Sequence, residues 1–149
     1  MSGVSPVAGS VPFDNSSNGF VADEVQSAIE EAKAAATGDR TYVAGENISA
    51  LQPIRIIGGQ AFASKNTTFD EAQAIGVAVT SASSGNPVTV RPLGDLADAF
   101  FSAPSGASYY VSPTGQLTDV VPVSGFLTEV ARSTGVGSVF IQPRRTIVL

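Results

Sequence analysis

The stretch Arg55-Ile56-Ile57-Gly58-Gly59-Gln60-Ala61-Phe62 decides the fold class. Two short apolar runs are separated by a pair of glycines. A two-residue turn between antiparallel strands needs positive φ, which glycine adopts without steric cost. The stretch therefore predicts a hairpin of strands 53–57 and 60–63. Outward from it the chain repeats the same grammar of short apolar runs and turn clusters. Ser83-Ser84-Gly85-Asn86 and Ser112-Pro113-Thr114-Gly115 are two such clusters. Further strands are expected over 41–44, 74–80, 87–92, 108–111, 120–123, 127–131, 138–142 and 146–149, with one helical turn over 95–101. Turn signals about ten residues apart argue for a sandwich or a barrel, where closure removes free strand edges. The expected fold is mostly β: a small antiparallel β-barrel or sandwich over residues 39–149. A hydrophobic content of 43% is enough to give it a core.

Upstream the pattern differs. Residues 1–20 are small and polar and cannot bury enough apolar area to fold alone, so they read as an extended arm. Phe13 and Phe20 are its only large anchors. A short helix is expected over 21–38. Asp23 and Gln26 make an N-cap pair, Glu24 sits at the positive end of the dipole, and Gly38 ends the helix. Val25, Ile29, Ala32 and Ala36, with Ala28 beside them, form one narrow apolar stripe. A helix of roughly 15 residues is marginal in water, so this stripe needs a partner. Its own β domain is one candidate. The narrow stripe and charged outer face favour three copies packed around an axis, which makes these five residues the predicted oligomer interface.

Charge is divided along the same boundary. Asp14, Asp23, Glu24, Glu30, Glu31 and Asp39 stand against Lys33 alone, which accounts for the whole net charge of −5. From Arg40 onward seven acids face seven bases. Neither part carries the basic stripe that a phosphate backbone requires, which argues against nucleic acid as a partner. No run approaches the roughly 20 apolar residues of a membrane span. The N-terminus lacks the basic and apolar regions of a signal peptide, so the chain reads as made and assembled in a cytoplasm.

Catalytic equipment is sparse. The chain has no cysteine and no histidine, which removes disulfides, thiolate and imidazole metal ligands, and the usual general base. Lys33 and Lys65 read as solvated surface lysines. Asp95 and Asp98 are one helical turn apart but too few for a calcium cage. An enzyme would need Asp95, Asp98 or Asp119 to converge in a cleft. No glycine motif for phosphate or dinucleotide binding occurs. The expectation is a protein that is not an enzyme, with no cofactor and no metal. Tyr109 and Tyr110 are candidate ligand contacts, although adjacent strand residues place one ring inward and one outward. Arg144-Arg145 either docks an acidic partner or keeps a final strand's edge soluble.

Two segments carry a resemblance. The first is PFDNSSNGFVADEVQSAIEEA, residues 12–32, which resembles a junction found in tailed-bacteriophage fibre and appendage proteins. The second runs loosely from Val43 to Leu149, through Ala44-Gly45-Glu46, Ala74-Ile75-Gly76-Val77-Ala78, Val88-Thr89-Val90 and Pro113-Thr114-Gly115-Gln116-Leu117-Thr118. That progression looks like the small β domains of phage head-decoration, head-fibre and tail-fibre proteins. The resemblance implies a non-enzymatic homotrimer on the outer surface of a virion. It would be fixed by its arm to the phage major capsid protein or to another virion protein. The size suits a decoration or head-fibre protein. The alternative it leaves open is a receptor-binding adhesin at a tail or head fibre tip, contacting its receptor through Tyr109 and Tyr110.

Overall fold

Five strands close into a barrel: β1 (Arg40–Ala44), β2 (Pro53–Ile57), β3 (Gln60–Ala63), β4 (Gly76–Ala78) and β5 (Pro87–Arg91), in the order β1-β3-β2-β4-β5. The computed structural model describes residues 38–149, which make up one unit, Gly38–Leu149. The predicted arm with Phe13 and Phe20 lies outside the described residues. So does the predicted helix with Val25, Ala28, Ile29, Ala32 and Ala36.

The hairpin forms where the glycine pair puts it. Gly58 and Gly59 take φ of 56° and 80°, and Ile57 pairs with Gln60, Ile56 with Ala61, and Arg55 with Phe62. One expectation needs correction: the barrel is not wholly antiparallel. β1 pairs antiparallel with β5 but parallel with β3. The reason is parity. Strand directions that alternate around a closed ring return to their start only if the number of strands is even. With five, at least one neighbouring pair must run parallel.

The barrel is narrow, so its interior is filled by side chains. Ala44, Ile48, Ile54, Ala61, Ala78, Val88 and Val90 fill it, all buried. Val88 and Val90 are two apart on β5 and therefore share a face. Three of the seven fillers are alanine, which fits a ring of this size.

A second sheet has the order β6-β11-β10-β7-β8. Its strands are β6 (Gly94–Ala97), β7 (Ser108–Val111), β8 (Leu117–Thr118), β10 (Glu129–Gly135) and β11 (Ser138–Ile141). A two-stranded ribbon joins β9 (Phe126–Leu127) to β12 (Ile147–Val148). The sheet has its own core around Phe101, Tyr109, Val111, Val130, Val139 and Ile141. Barrel strand β4 is the wall between the two cores. Ala78 points into the barrel, while Val77 belongs to the second cluster, and both are fully buried. Successive strand residues face opposite ways, so a strand buried on both sides reads as an unbroken apolar run.

Two further expectations are corrected. Residues 94–97 form β6 and pair with β11, Leu96 opposite Val139 and Asp95 opposite Phe140, where a helical turn was expected. A free sheet edge overrode the local preference. Only the end of that segment turns, with the Phe101 N–H donating to the Asp98 carbonyl at 3.1 Å. Residues 120–123 form no strand. β7 takes Leu117–Thr118 as its partner, and the Val120 N–H then donates to Thr118 Oγ1 at 3.1 Å, which turns the chain away. Pro122 has no N–H with which to rejoin a ladder.

The C-terminal segment is clasped to the barrel side through threonines. Thr128 is fully buried, and its Oγ1 donates to the Ala72 carbonyl at 2.8 Å and lies 2.8 Å from Thr146 Oγ1. Thr128→Val keeps the shape but strips the Ala72 carbonyl of its best donor. The expected loss is about 1–3 kcal/mol, the usual cost of an unmade buried hydrogen bond. A lowered urea midpoint with an unchanged m-value would show it. Thr146→Val should cost less, because Thr146 reaches the same carbonyl only at 3.4 Å.

Candidate functional site

The candidate carboxylates do not come together. Asp95 sits on edge strand β6, exposed, with its backbone carbonyl accepting from Arg91 Nη1 at 2.7 Å. Asp98 Oδ1 accepts the Phe100 N–H at 2.9 Å, which is a turn-capping role. Asp119 is exposed just after β8. Among the described residues no group of three or more acidic side chains is arranged to hold a metal ion. Lys65 is half-buried, and its backbone N–H donates to the Glu71 carbonyl at 3.0 Å.

The two tyrosines separate as adjacent strand residues must. Tyr109 is buried, with its ring edge-on to Phe101 at 5.2 Å and its hydroxyl accepting the Ala103 N–H at 3.1 Å. Its ring is therefore part of the core. Tyr110 faces the other side, half-buried, opposite Glu129 of β10. Of the pair, only Tyr110 is placed to meet a ligand.

The feature that stands out is apolar and on the surface. After the turn at Thr118, the segment Val120-Val121-Pro122-Val123 carries its valines outward, 69%, 55% and 95% exposed. Together with Asn66, Ser112 and Pro113 it lines a concavity of about 580 Å³. The apolar surface continues onto the ribbon. The Leu149 N–H donates to the Gly125 carbonyl at 3.0 Å, which holds the chain end beside this loop. Ile147, Val148 and Leu149 are each more than half exposed. Phe69, itself 46% exposed, stands edge-on to Phe126 of the ribbon at 6.1 Å.

Scattered exposed apolar side chains need no explanation, but a contiguous set marks a contact surface. Each valine, fully covered, would contribute on the order of 1.5–3 kcal/mol to an association. Sequence reasoning missed this surface because it assigned 120–123 to a strand. Pro122 was the available signal, since proline within an apolar run demotes it from a central strand. The C-terminal apolar run was read as a strand and is one, but its exposure depends on having a single partner, β9. No protein-family model matches the chain, and no curated protein matches it.

Proposed function

We propose that this chain is a non-enzymatic structural protein of a tailed-bacteriophage virion, a homotrimer that decorates the capsid head and is attached through its N-terminal arm. The observation that carries the reading is the apolar surface formed by Val120, Val121, Val123 and the ribbon ends. A surface of that kind calls for a partner. The chain from Arg40 onward, which carries this surface, is electrically neutral, so copies of it can approach without net repulsion. The resemblance of residues 12–32 to phage appendage junctions supplies the setting. Three copies would also give the alanine-rich stripe of residues 25–36 a place to bury. Three weak arms on one trimer hold more firmly than one, because the second and third engagements are intramolecular.

Light scattering on the full chain tests the assembly. The native mass should be three times that of one chain. Ile29→Asp should reduce it to a single chain, since a carboxylate cannot enter a packed stripe without a partner. Val121→Asp combined with Val123→Asp should weaken the trimer if the valine surface lies in its contact. An unchanged mass in both variants would remove self-association as the purpose of these residues. Deletion of residues 1–20 should leave the trimer but abolish its incorporation into particles. Full incorporation of that truncation would rule out the arm.

A further inference from the structure

A second concavity, of about 600 Å³, differs in character from the valine surface. Arg55, Arg144 and Arg145 line it with Asp70 as the single acid, and its walls include Ile56, Ile57 and Ile75. Three arginines from two distant segments therefore line one space. Their present partners are poor. Arg55 Nε is buried without a hydrogen-bond partner, and Arg55 Nη2 is 4.0 Å from Glu71 Oε1, beyond hydrogen-bond range. Arg144 Nε stands equally far from Glu129 Oε2.

Both of those glutamates are engaged elsewhere. Thr67 donates its hydroxyl to the Glu71 carboxylate, and this bond, ahead of the charges of Arg55 and Lys65, holds that carboxyl below its usual range. Glu129 Oε1 accepts from Ser108 Oγ at 3.1 Å and from Arg132 Nη2 at 3.3 Å. Arg145 has no ion-pair partner among the described residues. Arg55 is meanwhile kept in place by the Phe62 ring, 5.8 Å below its guanidinium. An arginine held by an aromatic face but short of acceptors is ready for a bidentate carboxylate.

We propose that this groove binds an acidic peptide segment of a partner protein, one in which carboxylates alternate with aliphatic side chains. The arginines take the carboxylates, and Ile57 and Ile75 take the aliphatic groups. The isoleucine walls favour a peptide over an acidic glycan, since sugars present hydroxyls that such walls cannot satisfy. The volume falls within the range of about 300–1,000 Å³ typical of binding concavities. The site stands apart from the assembly reading above: its failure leaves the trimer intact, and loss of the trimer leaves the groove.

Titration calorimetry on the full chain tests it, with the blocked peptide Leu-Glu-Val-Asp-Ile-Glu as probe. The Gln/Asn version of that peptide and an oligogalacturonate serve as controls. The acidic peptide should bind at low salt. Its affinity should fall by tenfold or more in Arg144→Ala combined with Arg145→Ala, both exposed positions whose loss spares the fold. The Gln/Asn peptide should bind at least tenfold more weakly than the acidic one. Equal binding of the two peptides, an unaffected double variant, or tighter binding of the oligogalacturonate would each overturn the proposal. So would no binding of the acidic peptide at all.

Discussion

Phe101→Ala should cost about 3–5 kcal/mol, the range for removing a fully buried aromatic ring. Phe101 has no exposed surface and stands edge-on to two rings, Phe100 at 5.4 Å and Tyr109 at 5.2 Å. Its carbonyl also accepts the Gly137 N–H at 2.6 Å, which ties the turn after β6 to the turn between β10 and β11. The ring therefore fills the centre of the second core at the point where two chain reversals meet. A domain of this size has about 5–15 kcal/mol of stability in total, so the variant gives up at least about a fifth of it. Equilibrium urea unfolding measures the loss. The control lies one residue away: Phe100 is 47% exposed, and Phe100→Ala should cost roughly 1 kcal/mol or less. Similar losses for the two would mean that Phe101 is not the centre of that core.

Gly76→Ala should be nearly as damaging by the opposite mechanism, an atom too many. A Cβ at Gly76 would stand 2.5 Å from the Arg91 carbonyl oxygen and 2.9 Å from its carbon. Both are backbone atoms of the neighbouring strand, so no rotamer change relieves the contact and β4 must move away from β5. Overpacking of this kind costs about 1–3 kcal/mol and sometimes more. Here the upper end is expected, because β4 serves both cores at once. Gly45 offers the contrast. A Cβ there would collide with the Phe62 ring, a side chain, and not with backbone. Gly45→Ala should therefore be rescued in large part by Phe62→Leu. No second substitution of one side chain should rescue Gly76→Ala. Thermal melts of the two single variants and the double separate these cases.

Much of the barrel was legible because its signals are local. The Gly58-Gly59 pair fixes a hairpin from eight residues of sequence, and the apolar run Ala74–Val79 marks a strand, of which Gly76–Ala78 pairs. What local reading missed depends on pairing choices made elsewhere. Asp95 lies on a strand because β11 had an open edge to offer. The valines of 120–123 were left outside because β7 had already paired with Leu117–Thr118. The parallel seam of β1 with β3 follows from strand count, which no window of sequence contains. The arginine groove was half visible: Arg144-Arg145 was noticeable as a pair, but Arg55 joins it from ninety residues away in sequence.

The closing seam of the barrel also bears on how the molecule takes load. β1 is the first strand after Gly38, so any pull transmitted from the preceding chain reaches it before anything else. An edge strand would peel one hydrogen bond at a time. β1 instead has a neighbour on each side, and Asp39 at its mouth grips Arg91 of β5 with two bonds of 2.8 and 3.0 Å. Tension entering there is shared between two ladders and a charged clip before the ring can open. Because the sheet closes into a ring, the strand that follows Gly38 lies in its wall, where mechanical failure requires several bonds to break together.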